Sequence, residues 1–396
     1  MKKILCIILA ALLFRVPVFA ESEAITQPVS SENGSFTPLQ TLIETDASSV
    51  ILIEASTGAV LYEKNSDTPL PPASVTKVMT MLLVMEAIDS GKISYEDSVT
   101  VSANAASMGG SQVYLEIGEQ MSVHELLKCV VVSSANDACV ALAEYIAGSE
   151  EGFVALMNQR AQELGMKNTN FENTNGLDDD TKNHVISARD IAIMSAELIT
   201  KHPRILEYSS IWMDSIRGGS FGLTNTNRLI RFYNGANGLK TGSTSKAKFC
   251  ISASAKRGDM QLICVVMGAQ SRDSRNETAK KLFDSGFANY AYESFSGADT
   301  LGVAKLPITG AIESEIPLVT EPFSCVVDKS NAPKITSEVS LPKSLAAPIK
   351  AGQQVGKITY LVDGKILAEV PISAAVTCER ITFWQLLQRL VCQTLY

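Results

Sequence analysis

Residues 71–80 read PPASVTKVMT, which sets the Ser74 hydroxyl three positions before the Lys77 amine at the mouth of an apolar run. If that run is a helix, positions i and i+3 share a side, so the amine lies beside the hydroxyl. A helix N-terminus adds backbone N–H groups and a positive dipole end for a developing anion. Burial lowers a lysine pKa towards neutrality, and a neutral amine can accept the serine proton. The same spacing also suits a capping serine followed by a lysine that snorkels to water. S-x-x-K recurs at Ser243/Lys246, Ser245/Lys248 and Ser340/Lys343, but only the first pair opens a long apolar helix.

Two further groups have chemical potential. In VVVSSANDACVAL, Ser134 and Asn136 stand two residues apart between apolar runs. A second hydroxyl can relay a proton, and an asparagine amide can bond both a lysine and a substrate carbonyl. S-x-N also occurs at Ser31, Ser102 and Ser274, so the spacing alone carries little. In NGLKTGSTS, Lys240-Thr241-Gly242 is the only K-[ST]-G of the chain. It precedes an expected strand, where a cation and a hydroxyl can hold a carboxylate and glycine lets a backbone come close. Other motifs fail. Gly218-Gly219-Ser220-Phe221-Gly222 fits G-x-S-x-G, but polar LTNTNR follows it instead of a helix. His124-Glu125 begins H-E-x-x-H, yet position 128 is Lys. A Ser-His-Asp triad would have to draw on His124, His184 or His202.

The elements that must position these groups are legible in outline. SSVILIEASTGAVLYEKN predicts a hairpin turning at Ser56-Thr57-Gly58. Ser74 to Ser90 predicts a helix apolar nearly all round, hence buried, with Gly91 as its stop. Further helices are expected over 122–147, 151–165, 187–200 and 276–292. Ser187 and Asp190 make a capping-box-like start. KFCISASAKRGDMQLICVVMGA predicts a second hairpin at Arg257-Gly258-Asp259. Strands at both ends of a helical middle predict an α+β sandwich, one antiparallel sheet with helices on its faces. Beyond residue 296 the chain turns to short β runs, among them a hairpin with an Asp363-Gly364 turn. The tail ITFWQLLQRLVCQTLY places Phe383, Trp384, Leu386, Leu387, Leu390 and Val391 on one helical face. That suits a helix lying in a membrane interface, or one docked on the β domain.

The expected divisions are a signal peptide at 1–20, a linker at 21–47, a catalytic domain at 48–295, a β domain at 296–378 and the amphipathic helix at 379–396. Lys2 and Lys3, an apolar run over 4–14 and Val18-Phe19-Ala20 read as an export signal. Removing it takes three cations and no acid, so the net charge falls from −8 to −11. An acidic body argues against nucleic acid as a partner. A composition of 46% apolar and 19% charged residues excludes general disorder. Without Cys6 the cysteines are odd in number and form no C-x-x-C, so neither a disulfide framework nor a zinc site is indicated. Cys129 and Cys139 read as core; a cross-strand bridge between Cys250 and Cys264 is left open.

S-x-x-K, S-x-N and K-T-G occur in that order over about 170 residues, a set far more specific than its parts. In this the chain resembles the penicillin-recognising serine enzymes, and among them the D-alanyl-D-alanine carboxypeptidases, the low-molecular-mass penicillin-binding proteins. ASVTKVMT, SSANDA, NTNGL, ARD and GLKTGSTS carry the likeness, and APIKAGQQVGKITYLVDGKILAEVPI extends it through a C-terminal β domain. The resemblance implies a DD-peptidase/β-lactamase-like sandwich, then a small all-β domain and a terminal amphipathic helix. It implies an acyl-enzyme on Ser74, with Lys77 as base, Ser134 as proton relay and Asn136 positioning the substrate amide. Lys240 and Thr241 would bind a terminal carboxylate. The backbone N–H groups of Ser74 and Ser243 would form the oxyanion hole. Arg275 falls where the family often has a carboxylate-binding arginine, and equally reads as a solvated charge.

The resemblance implies a peptidoglycan stem peptide ending in D-Ala-D-Ala as substrate, β-lactams as inhibitors and no metal or organic cofactor. It also implies residence on the outer face of the cytoplasmic membrane. Asn237, Lys246 and Lys248 depart from the family, which often has Asp, and then an acidic residue and glycine, at these places. A serine β-lactamase and an inactive peptidoglycan-binding protein are the alternatives. The first lacks an E-x-x-L-N-like segment between Asn136 and Lys240.

Overall fold

The computed structural model describes residues 38–39, 43–179 and 181–395. The expected signal peptide and most of the expected linker lie outside them. The last linker residues are packed on the body: the Leu39 N–H donates to the Leu61 carbonyl at 2.9 Å, and Ala47 is buried.

Five strands form the central sheet: β1 (Ser49–Glu54), β2 (Val60–Lys64), β3 (Ala236–Thr244), β4 (Lys248–Arg257) and β5 (Met260–Ala269). Their order is β2-β1-β5-β4-β3, antiparallel throughout, so the first and last parts of the domain close on each other as expected. Both faces are covered. Ile51, Ile53, Ile263 and Val265 face one core, while Val50, Leu52, Leu262 and Cys264 face another. That is why β1 reads as an unbroken apolar run rather than an alternating one. Cys250 lies in the first core and Cys264 in the second, and both are free thiols; no bridge joins them.

Helix α1 (Lys77–Asp89) runs through the first core, buried nearly all round. The expected single helix over 122–147 is two. Helix α2 (Val123–Lys128) passes into one wide π turn, Cys129–Ser133, and Ser134 then takes left-handed angles, φ 66° and ψ 29°. Helix α3 (Asn136–Ala147) starts afresh. Three consecutive β-branched valines, Val130–Val132, weaken the local helix, and π turns of this kind recur at functional sites. Helices α4 (Glu150–Glu163) and α5 (Ala188–Lys201) follow, and Ser187 caps the second by accepting from the Asp190 N–H. Helix α6 (Arg272–Asn289) covers the far face and starts four residues before the expected 276, fixed by a Ser271/Ser274 capping box.

Strand β6 (Tyr290–Phe295) pairs with β9 (Phe323–Asp328). The other C-terminal strands are β7 (Lys305–Thr309), β8 (Glu315–Thr320), β10 (Ile335–Ser340), β11 (Leu345–Ala346), β12 (Gln354–Val362) and β13 (Lys365–Ala374). They form one sheet in the order β10-β12-β13-β8-β7-β11. Asp363 and Gly364, both at positive φ, make the primed turn that an Asp-Gly hairpin requires. Tyr360 and Ile358 are fully buried in this module's own core. Helix α7 (Phe383–Leu395) follows.

Asp137, in the first turn of α3, ties the helix to the segment before α2. Its carboxylate accepts from the buried Val113 and Leu115 N–H groups at 3.0 and 3.1 Å. Asp137→Ala would orphan both donors. The expected loss is about 3 kcal/mol of unfolding free energy, read by urea denaturation, with Asp137→Asn falling between variant and wild type.

Candidate active site

The nucleophile motif does not begin as an α-helix. Ala73–Thr76 form a single 3₁₀ turn, and α1 proper begins at Lys77. A 3₁₀ turn has three residues, so side chains at i and i+3 eclipse. Ser74 and Lys77 therefore stack directly, and Lys77 Nζ stands 3.1 Å from Ser74 Oγ. The same nitrogen lies 2.6 Å from Asn136 Oδ1 and 2.7 Å from the Asn175 carbonyl. Both carbonyl oxygens are acceptors only, so both require N–H donors. In the neutral amine this leaves the lone pair for the Ser74 hydroxyl. Burial of the whole side chain pulls the Lys77 pKa down to about 8.

Ser134, held left-handed between the π turn and α3, lines the same cleft as Ser74. Among the described residues, none hydrogen-bonds its hydroxyl. Asn136 is locked at three points. Its Oδ1 takes the lysine, its Nδ2 donates to the Gly109 carbonyl at 2.7 Å, and its backbone N–H donates to the Ser111 carbonyl at 2.7 Å. Gly110 must be glycine here: it sits at φ 74°, and a Cβ would meet Asn136 Nδ2 at 2.9 Å.

Strand β3 forms the opposite wall, as the edge strand of the sheet. Gly242 brings its backbone against the nucleophile turn; a Cβ there would lie 2.9 Å from the Ser74 nitrogen and 2.8 Å from the Pro72 carbonyl. Lys240 is buried and donates to the Thr241 carbonyl at 2.8 Å. Burial, with the charges of Lys77 and Arg275 added, holds its pKa well below the usual lysine range. Thr241 Oγ1 donates to Thr226 Oγ1 at 2.7 Å.

Arg275 is not a solvated surface charge. It is buried at the cleft wall, bonded to Asn276 Oδ1 and the Cys250 carbonyl, and burial pulls its pKa down to about 10. Among the described residues it has no carboxylate partner. A cleft of about 390 Å³ brings Ser74, Ser134, Thr241, Gly242, Ser243 and Arg275 together, so the three sequence motifs converge on one place.

Several parts of the site have no motif. The Asn175 carbonyl on Lys77 is a backbone group, although NTNGL stood out in the sequence. Asn173 Oδ1 accepts from the Asn175 and Gly176 N–H groups, a local turn that such a run signals. Trp212, Thr226, Arg228 and Arg272 also line the cleft, each brought in by the fold. The departing residues lie aside. Lys246 bonds the Asp178 carbonyl, Lys248 bonds Gln270, and Asn237 bonds Gln261 and Ser254. Ser220 sits in a reversal between two short strands and bonds the Arg217 carbonyl, so it is no nucleophile elbow.

Both parts of the chain are similar to known proteins. The D-alanyl-D-alanine carboxypeptidase family matches residues 35–271, and the C-terminal domain of penicillin-binding protein 5 matches residues 299–380. The chain is 44% identical over 349 residues to the D-alanyl-D-alanine carboxypeptidase DacF of Bacillus subtilis (strain 168), covering 87% of this chain and 89% of the relative. It is 36% identical to DacC of Escherichia coli (strain K12) over 83% of each chain. Penicillin-binding protein 5 from Haemophilus influenzae superposes with a TM-score of 0.75 at 33% identity, over 86% of this chain and 99% of that one. Penicillin-binding protein D2 from Listeria monocytogenes, in its ampicillin-bound form, superposes with a TM-score of 0.58 at 32% identity, over 63% of this chain and all of its own. The chain belongs to the D-alanyl-D-alanine carboxypeptidase family, and it is a hydrolase of the penicillin-binding-protein type.

Proposed function

We propose that this carboxypeptidase removes the terminal D-alanine of peptidoglycan pentapeptide stems through an acyl-enzyme on Ser74. The observation that carries the reading is the Lys77 amine, buried, 3.1 Å from Ser74 Oγ and held by two carbonyls. In the forward step the neutral Lys77 takes the Ser74 proton as Oγ bonds the carbonyl carbon of the penultimate D-alanine. The N–H groups of Ser74 and Ser243 receive the oxyanion. The C–N bond then breaks, and the departing amine takes a proton relayed through Ser134. Asn136 holds the lysine and the substrate amide together. Lys240, Thr241 and Arg275 bind the terminal carboxylate, with Gly242 letting the substrate backbone approach β3. Water then cleaves the ester. A β-lactam acylates the same serine, and its ring-opened product leaves slowly.

We place the enzyme outside the cytoplasmic membrane, held at the surface by α7. Phe383 and Trp384 are 70% and 75% exposed, on the face that carries Leu386 and Leu387. Among the described residues no helix is long and apolar enough to cross a membrane. The helix suits one lying in the interface.

The neutral lysine is the reactive form, and its pKa is depressed to about 8. The rate of labelling by a fluorescent penicillin is therefore expected to climb about tenfold per pH unit below 8 and level above it. Ser74→Ala should take no label at any pH; a labelled Ser74→Ala protein would exclude this serine. Arg275→Gln removes a charge-assisted contact to the carboxylate. A roughly 10- to 100-fold fall in kcat/KM for a peptide ending in D-Ala-D-Ala is expected, and an unchanged value would dismiss this role. In vesicle co-sedimentation the full chain should pellet, whereas Trp384→Gln with Leu387→Asp should stay in solution.

A further inference from the structure

His184 is outside the cleft lining, yet it joins the two segments that set the Lys77 amine and the Ser74 hydroxyl against each other. The first segment is the 3₁₀ turn itself. Its leading residue, Ala73, holds φ 49°, a left-handed conformation that a residue with a Cβ adopts only at a cost. The Thr76 hydroxyl donates to the Ala73 carbonyl at 2.9 Å and so clamps that residue. The second segment is the stretch over 170–186, which carries the Asn175 carbonyl to Lys77. Its ends are paired by mutual backbone bonds between Asn170 and Val185, and Ile186 pairs with Leu70 just ahead of the nucleophile turn.

The imidazole bridges the two. His184 Nε2 lies 2.7 Å from Thr76 Oγ1, and the Glu172 N–H donates to Nδ1 at 2.9 Å. The hydroxyl proton of Thr76 points at Ala73, so Thr76 can only accept from His184. Nε2 therefore carries the proton and Nδ1 its lone pair: the neutral ring satisfies both neighbours in one tautomer. Burial pushes the ring's pKa down to about 4, against the Glu172 and Asp178 carboxylates, which favour the charged form. The Phe171 ring meets it edge-on at 5.9 Å. Gly176, next to Asn175, packs so closely that a Cβ would lie 1.9 Å from the Ala73 carbonyl oxygen. The two segments are thus in backbone contact, with His184 as their side-chain tie.

We infer that His184 is a positioning residue for the Ser74–Lys77 pair, because it pins the strained nucleophile turn through Thr76 and the Asn175 loop through Glu172. It touches neither substrate nor reacting atoms. The inference rests on the acyl-enzyme reading of Ser74. Without the tie the two segments part, water reaches the Lys77 amine, and the ammonium regains hydration that burial denied it. The lysine pKa then rises, so less of the base is neutral at pH 7.

The test uses the full chain and a fluorescent penicillin, measuring the acylation rate constant from pH 5 to 10. His184→Phe keeps the ring volume and the contact with Phe171 but neither hydrogen bond. His184→Gln offers one donor and one acceptor. His184→Phe is expected to acylate about 10-fold more slowly at pH 7, with the midpoint of its acid limb about one unit higher. His184→Gln should recover most of the rate and the original midpoint. Wild-type rate and midpoint in His184→Phe would overturn the inference, as would a slower rate with an unmoved midpoint that His184→Gln does not rescue. If His184→Phe does not fold, Thr76→Val removes the other end of the same bond and is judged by the same two readouts. Failure of the wild-type chain to take label would instead overturn the acyl-enzyme reading itself.

Discussion

Everything at the active site depends on keeping one lysine amine out of water while giving it three polar neighbours. A buried ammonium without partners is costly, and a neutral amine is the natural escape. The protein steers that escape towards chemistry. The Asn136 and Asn175 oxygens occupy two directions around Lys77 Nζ, and Ser74 Oγ occupies the third. Each neighbour comes from a different part of the chain: the nucleophile turn, the start of α3 and the 170–186 segment. The apolar surroundings of α1 keep water away, so the core of the domain is also part of the active site.

That arrangement explains the irregular backbone around it. The helical path from α2 breaks into a π turn and a left-handed Ser134, which brings Ser134 to the cleft and starts α3 with Asn136 facing Lys77. The nucleophile sits on a 3₁₀ turn with Ala73 at positive φ. Gly110, Gly176 and Gly242 lie where any Cβ would collide with Asn136, Ala73 or the Ser74 nitrogen. Each of these departures from ideal geometry serves a contact at the site, while the sheet and the helices α4, α5 and α6 supply the support.

The electrostatics have one direction. The chain carries a net charge of −8, yet the cleft wall holds Arg275, with Arg228 and Arg272 beside it and Lys240 buried behind. Arg275 is bonded only to neutral groups among the described residues, so its charge remains for an incoming anion. Burial weakens its hold on the proton and strengthens its attraction to a carboxylate, since both follow from exclusion of water.

The sequence by itself determined the parts whose signals are local. Apolar periodicity, the Gly58 and Asp363-Gly364 turns and the Ser187 cap depend on near neighbours, and those elements stand where their residues place them. The motif residues were legible too, because S-x-x-K, S-x-N and K-T-G are informative as an ordered set. The break at Ser134 was not: VVVSSANDACVAL has the apolar content of one helix, and only packing against α1 and the cleft favours the wide turn. Nor were the Asn175 carbonyl, the burial of Arg275, the Arg228 and Arg272 walls or the His184 tie. A backbone oxygen has no residue signature, and whether an arginine is solvated or enclosed depends on segments far away in the chain. Tertiary structure alone decided how dry the site is, and dryness is what turns Lys77 from a cation into a base.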